Sequence, residues 1–318
     1  MDISIIIVNW NGKDLLRECL ASLVGKASGL AVEVIVVDNG STDGSAEMVE
    51  REYPGFRLIR SDRNLGFATA NNLAIKQSSG KYVALVNSDV KVLQGCLEEL
   101  CRYLDNNPEV GCVGPRVLNA DLTLQDSCRH FPGVWNNFCS ATGLATAFPK
   151  CKALSGEHMF YFAHDRVCRV DSLVGCFWMV RRAALEEVGL LDEAFFMYAE
   201  DVDWCRRSWR AGWQVVFVPS ASAIHYRGGS SGGDPVRWAV TQQDSVRRYW
   251  KKHHGTGGVL AITALLFIRH LIRLGYVIIT RLTVPDRTGF RAAGLGSKAC
   301  LKALLTPAAE PVAPRRLP

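Results

Sequence analysis

The sequence predicts an α/β fold: a mostly parallel sheet flanked by helices, with a C-terminal basic and apolar helical extension. Three observations carry this expectation. Continuous apolar runs rich in β-branched residues alternate with segments of helical periodicity, the pattern of βαβ units. Each early strand ends in a polar residue, and composition and charge both change beyond Gly228. With 318 residues, 48% of them apolar, the chain can build one large core plus an extension.

In chain order, "ISIIIVNW" (3–10) reads as a strand buried on both faces. "KDLLRECLASL" (13–23) follows with apolar residues at helical spacing. "EVIVVDNGSTDGS" (33–45) is a second buried strand ending in a glycine-rich turn, and "SAEMVEREY" (45–53) is its helix. "FRLIRS" (56–61) is a short strand. "FATANNLAIKQS" (67–78) is helical, with Gly80 as its C-cap. "KYVALVNSD" (81–89) is a third strong strand and "GCLEELCRYLDNN" (95–107) another helix. Residues 117–170 mix proline, aromatics and three histidines and read as loops. "RVDSLVGCFWMVRRAALEEVG" (169–189) gives a strand and a helix, "AEDVDWCRRSWRAG" (199–212) a helix closed by Gly212, and "WQVVFVPSASAIHY" (213–226) a strand and its exit.

The extension begins with "SVRRYWKKHHG" (245–255), basic and aromatic, and continues with "VLAITALLFIRHLIRLGYVIITRL" (259–282). A spanning helix needs ~20 consecutive apolar residues. The longest clean run, 259–268, is half that. Arg269, Arg273 and Arg281 recur at multiples of four and line one side of a helix. An interfacial helix is therefore expected, rather than a span or a core helix with snorkelling arginines. Residues 1–224 carry a net charge of −5 and residues 225–318 carry +11. Anionic lipid attracts such basic segments by ~1 kcal/mol per charge. The expected location is the cytoplasm, peripheral on the inner face of the membrane. The eleven scattered cysteines form no CxxC pair and read as reduced, and no secretory leader pattern precedes the first strand. The expected organisation is a domain over 1–230, a helical extension over 231–305 and a disordered tail over 306–318.

In open parallel sheets, ligands bind beyond the carboxyl ends of the strands. Asn9, Asp38, Asn87 and Asp89 all fall there and converge on one rim, although Asp38 also suits a simple Asx turn. "NWNGKDLL" is no GxGxxG fingerprint and no P-loop is present, so phosphates need another counter-charge. Mg²⁺ or Mn²⁺, held by one or two carboxylates and the substrate's own phosphates, is the usual one. Asp89 suits that role, and His225 can add a nitrogen ligand. In "YAEDVDWCRR" (198–207), Asp203 reads as a first-turn helix acid pairing with Arg206 or Arg207. Glu200 and Asp201 follow the bulky run "EAFFMY", and an acid beside such a wall suits general-base work.

The blocks "SIIIVNWNG", "VIVVDNGSTDGS", "NLGFATANN", "ALVNSD", "GCFWMVRRAALEEVGLLDEAFFMYAEDVDWCRRSWRAGW" and "IHYRGGSS", in this order, resemble family 2 inverting glycosyltransferases of the GT-A fold, especially the bacterial rhamnosyltransferase-like branch. The resemblance covers about residues 3–230. It implies that Val8, Asn9 and Asp38 hold the base and ribose, and that Asn64 and the helix through Asn71 line the nucleotide pocket. It implies that "NSD" stands for the family's DXD motif, with Asn87 at its first position and Asp89 as metal carboxylate. Asp201 is then the general base, Glu200 orients it or contacts the acceptor, and His225 closes the metal site. The implied reaction moves a sugar from dTDP-rhamnose or a UDP-sugar onto a glycan or polyprenyl-diphosphate-linked acceptor, in cell-surface polysaccharide synthesis. Two rivals are weighed. A nucleotidyltransferase wants a basic, glycine-rich loop that "NWNGKD" does not supply. A nucleic-acid binder could use Trp238, Tyr249 and Trp250 amid the basic tail, but the apolar helix fits a membrane surface better, so no nucleic-acid partner is expected.

Overall fold

The unbroken apolar runs near the N-terminus can be satisfied only by strands covered on both faces, and the structure builds them so. It is a computed structural model describing residues 1–25, 29–226, 234–283 and 288–305. The expected disordered tail, the Arg281 side chain and the end of "IHYRGGSS" lie outside the described residues.

The chain opens with β1 (Ile3–Asn9), α1 (Lys13–Ala21), β2 (Val32–Asp38), α2 (Ser45–Glu52) and β3 (Arg57–Arg60). Next is α3 (Phe67–Ile75). It stops short of the expected cap: Lys76 ends it, and the Gly80 N–H instead donates to Ser4 Oγ at 2.7 Å, tying the loop to β1. Then come β4 (Tyr82–Asn87), β5 (Val90–Val92), α4 (Cys96–Asn106) and β6 (Val110–Leu118).

β6 is a strand that the sequence reading did not anticipate, because Gly111, Gly114 and Pro115 argue against one. It nevertheless lies inside the sheet, and Gly114 leaves room for the Leu173 side chain. The stretch read as loops also holds β7 (Cys128–Arg129), α5 (Val134–Thr142), α6 (Leu144–Ala147) and β8 (Cys168–Arg169). The chain continues through β9 (Ser172–Leu173), β10 (Phe177–Arg181), α7 (Arg182–Val188), α8 (Glu200–Arg210) and β11 (Gln214–His225) to α9 (Pro235–Thr283) and α10 (Thr288–Leu304).

The large sheet runs β3-β2-β1-β4-β10-β6-β11-β5, with β8 also paired to β11. It is mostly parallel, as expected; β10 runs antiparallel to both neighbours. That reversal brings the residues just before β10, Gly175 and Cys176, to the edge where β1, β2 and β4 end. The antiparallel pairing of β5 with β11 sets Val90 opposite His225. One rim thus collects ends of six strands, β1, β2, β4, β5, β10 and β11. Alternating side chains divide the core: Ile5 and Ile7 pack with α1, α2 and α4 on one face, and Ile6 and Val37 with α3, α7 and α8 on the other.

The extension folds back on itself. α9 breaks at Gly255 (φ 66°, ψ −162°), and His270 Nε2 meets Gln243 Oε1 at 3.1 Å across the fold. After the break, Ile262, Leu266, His270 and Val277 form a buried stripe at helical spacing. Phe195, from the chain before α8, joins Tyr249, Trp250, Ile262, Leu266 and Leu304 in one apolar cluster.

Asp203 fastens the halves together. It is fully buried; Oδ2 accepts from Arg207 Nε at 2.9 Å, while Oδ1 meets Lys252 Nζ at 2.7 Å and His253 Nε2 at 2.8 Å. The expected helix pair is therefore formed at i+4. Arg206 instead donates to the Tyr249 hydroxyl at 2.9 Å. Asp203→Ala leaves Arg207, Lys252 and His253 without their shared acceptor. The expected loss is about 2–3 kcal/mol, below the ~3–5 of a fully buried pair because Lys252 and Arg207 keep some water contact. Urea denaturation checks it, and a loss under about 0.5 kcal/mol, the scale of a surface substitution, contradicts the anchoring role.

Candidate active site

Three buried acceptor oxygens mark the rim. Asn9 Oδ1, Asp38 Oδ1 and Asn87 Oδ1, each at the end of a parallel strand, have no hydrogen-bond partner among the described residues. The other side-chain atoms of Asn9 and Asp38 are engaged. Asn9 Nδ2 donates to Ser41 Oγ at 3.3 Å, and Asp38 Oδ2 accepts from Ser41 N at 3.2 Å. Asp38 therefore closes the turn that a plain Asx reading expects and still aims one oxygen at the rim. Buried acceptors without donors are costly, so these three positions suit a ligand that donates.

A cavity of about 200 Å³ opens beside them, lined by Val8, Asn64, Asn87, Asp89 and His225 among the expected residues. It is smaller than the ~300–1,000 Å³ of usual ligand sites. Its aromatic wall is crowded: Trp10 and Tyr198 each meet Trp238 edge-on, with ring centroids 6.3 Å apart. Trp238 comes from the first turn of α9, so the extension forms part of the cavity wall. Asn9, Asp38, Asn71, Glu200 and Asp201 are not among its lining residues; the Asn71 amide donates to Phe67 O at 2.8 Å inside α3. Asn39 is the neighbour that sequence reasoning missed. It lines the cavity, accepts from Leu65 N at 2.8 Å and donates to Asn64 Oδ1 at 3.1 Å, holding the "NLGF" turn. That turn needs Gly66: φ is 84°, and a Cβ there would sit 2.5 Å from Phe196 O.

Asp89 and His225 meet as the β5–β11 pairing dictates. Tyr226 N donates to Asp89 O at 3.0 Å, and His225 Nε2 lies 3.2 Å from Asp89 Oδ1. His225 Nδ1 is 2.7 Å from Gln125 Oε1. An amide oxygen only accepts, so Nδ1 carries a proton and Nε2 is the nitrogen turned to Asp89. Burial depresses the His225 pKa, but the facing Asp89 and Cys176 outweigh it and raise it to about 10. A carboxylate oxygen and an imidazole nitrogen, with the ring oriented by a second hydrogen bond, fit a divalent cation. Among the described residues no cluster of three or more His, Cys, Asp or Glu forms a complete cage. Two protein ligands are what Mg²⁺ and Mn²⁺ commonly take when phosphates and water supply the rest. Gln125 was missed because it lies in the stretch read as loop.

The second group of acids sits at the start of α8. Asp201 Oδ2 accepts from Gly175 N at 2.8 Å and Oδ1 from Val202 N at 2.8 Å. Gly175 is needed for this fit, since a Cβ there would lie 3.2 Å from Asp201 Cβ. Burial raises the Asp201 pKa, while the two backbone bonds and the Arg129 charge oppose the rise. Glu200 is more extreme. Its Oε2 is buried without a partner, and burial, reinforced by the Asp201 charge, pushes its pKa far above the usual carboxylate range. Glu200 is thus pushed toward its protonated form more strongly than Asp201, whose two backbone donors favour the carboxylate, the unequal environments that divide roles between paired acids. The preceding residues, Tyr198 (φ 70°) and Ala199 (φ 65°), are both left-handed, strain of the sort that gathers at functional sites.

The two groups are linked through one dipeptide. Gly175 N holds Asp201; the next residue, Cys176, accepts from Asn87 N at 2.9 Å through its carbonyl and interacts with the His225 ring through its thiol.

The family model for Glycosyl transferase family 2 matches residues 4–189. An N-acetylglucosaminyl-diphospho-decaprenol L-rhamnosyltransferase of Mycobacterium tuberculosis is 30% identical over 298 residues, covering 85% of this chain and 94% of that protein. The rhamnosyltransferase WbbL of Escherichia coli is 28% identical over 233 residues, covering 70% and 82%. Among solved structures, the mannosyltransferase PcManGT from Pyrobaculum calidifontis, in complex with GDP-Man and Mn²⁺, is similar in fold: TM-score 0.57 at 16% identity, covering 95% of this chain and 85% of that one.

Proposed function

Because the chain belongs to glycosyl transferase family 2 and is a glycosyltransferase, we propose that it transfers a rhamnosyl unit, with inversion, from a nucleoside-diphosphate sugar to an N-acetylglucosaminyl-diphosphate lipid. The observation that carries this reading is the Gly175–Cys176 link, which ties the ionised Asp201 to the Asp89–His225 pair on one rim.

In this reading the free oxygens of Asn9 and Asp38 accept from the donor's base and ribose, and Asn64 and Val8 shape the wall behind them. Asp89 and His225 hold a divalent cation. Bound there, Mg²⁺ or Mn²⁺ supplies positive charge for the diphosphate that departs. Asp201 takes the acceptor hydroxyl's proton on its carboxylate while that oxygen attacks the anomeric carbon from the face opposite the diphosphate. Glu200, protonated, donates a hydrogen bond in the same space and orients the acceptor. The wall of Phe196, Met197 and Tyr198 limits water, which would otherwise compete as acceptor.

The extension suits a lipid acceptor. Among the described residues one helix, Val236–Ile279, is long and apolar enough to cross a membrane by length and composition. Its stripe of Ile262, Leu266, His270 and Val277 is committed to protein, while Leu260, Ile268, Leu271, Ile272, Tyr276 and Ile279 are exposed. We read that face as lying in the membrane surface, with Arg269 and Arg273 at the headgroups.

The test supplies Mn²⁺, dTDP-rhamnose and a short-chain polyprenyl-diphosphate N-acetylglucosamine. The expected products are dTDP and a glycoside whose anomeric configuration, read by NMR, is opposite to the donor's. Release of pyrophosphate, or retained configuration, contradicts the reading.

A further inference from the structure

We propose that Arg129 and Arg269 form the subsite for the acceptor's diphosphate, between the Asp201 carboxylate and the apolar face of α9; this rests on the lipid-acceptor reading above.

Arg129 sits where the catalytic base is anchored. In the β7–β9 pair it lies opposite Ser172, and Val174 N donates to Ser127 O at 2.9 Å. Gly175, whose N–H holds Asp201, is the next residue along that ladder. Arg129 is half-buried, yet among the described residues its guanidinium makes one hydrogen bond, from Nη1 to Cys128 O at 2.9 Å, and no ion pair. Guanidinium has five N–H donors. Burial works against its charge, and the carboxylates of Asp126, Asp201 and Glu157 act on it only at a distance. None of its nitrogens is buried without a partner, so the remaining donors face solvent and are open to an anion. The fork geometry of arginine matches phosphate oxygens two at a time.

Glu157 lies between this arginine and the extension. Its backbone carbonyl accepts from His130 N at 2.9 Å, next to Arg129, and its carboxylate accepts from Asn137 Nδ2 of α5 at 2.5 Å. α5 packs on α9, and the Glu157 carboxylate feels the charges of both Arg129 and Arg269. Arg269 is exposed, flanked by the exposed Ile268, Leu271 and Ile272. Arg129, on the β7–β9 ladder that leads to Gly175, and Arg269, on the exposed face of α9, thus both act on one acid. An amphiphile with its chain on that face reaches Arg269 first, then Arg129, and presents the sugar beyond its diphosphate to Asp201. A nucleoside diphosphate, by contrast, belongs at Asp89 and His225.

The test is calorimetric binding of geranyl diphosphate to the full chain, with EDTA present so that the cation site does not contribute. Wild type is expected to bind, and Arg129→Gln and Arg269→Gln each to weaken binding by about tenfold or more. Both variants should hold dTDP with Mn²⁺ within about twofold of wild type, the scatter of distant, uncoupled sites. Inorganic pyrophosphate is expected to bind more weakly but with the same dependence on Arg129. Unchanged geranyl diphosphate binding in both variants overturns the proposal. So does an effect seen only with phosphatidylglycerol vesicles, which reports general surface charge. If Arg129→Gln also loses dTDP, Arg269→Gln decides: loss of geranyl diphosphate with dTDP binding kept supports the subsite, and loss of both or of neither overturns it. Failure of wild type to bind dTDP counts against the glycosyltransfer reading instead.

Discussion

Asp201→Asn is expected to lower kcat by about 10²–10⁴, the usual worth of general-base assistance, with donor affinity unchanged. The substitution preserves shape and removes the charge that the site is built to keep. Backbone N–H groups of Gly175 and Val202 both point at the carboxylate, and Arg129 adds its field. An asparagine retains one acceptor for those two donors and no basic lone pair for the incoming hydroxyl. Glu200→Gln is the informative contrast. Its carboxyl is held protonated by burial and by the Asp201 charge, and an amide replaces a protonated acid as a hydrogen-bond donor. Its loss should therefore be far smaller than that of Asp201→Asn. Acidification gives the same sign: the Asp201 pKa lies above the usual aspartate range, so activity falls as pH drops through that raised value. Initial rates at saturating donor, beside nucleotide titrations, separate the outcomes. Equal loss in both variants would move the base elsewhere.

Asp89→Ala is expected to abolish cation-dependent nucleotide binding. The pair offers one carboxylate oxygen and one imidazole nitrogen 3.2 Å apart, so losing either member leaves a single protein ligand. Wild type should bind dTDP at least ~10-fold more tightly with Mn²⁺ than with chelator, as loss of ligation typically costs 10–100-fold. In Asp89→Ala that difference should vanish. Proton competition adds a second signature. The His225 pKa is raised to about 10, so a cation must displace a proton from Nε2 at neutral pH. Cation affinity should therefore rise with pH, and Gln125→Ala, which frees the ring, should weaken it. Equal dTDP affinity with and without chelator in wild type would remove the metal role from this site.

The ends of the parallel strands were legible because a buried apolar run has few places to put a polar residue. Asn9, Asp38 and Asn87 stood out for that reason, and their free oxygens lie where the topology directs them. Pairing between distant segments was not legible. Nothing local says that β5 runs back along β11, which is what joins Asp89 to His225. β6 was hidden by its own glycines and proline, tolerated because neighbouring side chains fill the space a Cβ would take. Gln125, Arg129 and Glu157 lay in a stretch without periodicity, where only tertiary contacts assign them work. Asn71 is near the pocket in sequence, and its amide is bonded within its helix. The division at residue 230 captured the change in composition, yet Trp238, Ser245 and Tyr249 reach back to the cavity wall, the Met197 carbonyl and Arg206. Amphipathic patterning reveals that a helix has a buried face, not which loop that face secures.

The most direct test of the central claim is a crystal structure with Mn²⁺ and dTDP, the ion located by anomalous scattering. The account predicts an ion shared by Asp89, His225 Nε2 and the diphosphate, with the Asp201 carboxylate facing it across the space of one sugar ring. An ion bound away from Asp89, or a nucleotide seated where Asp201 cannot face its diphosphate, would contradict it.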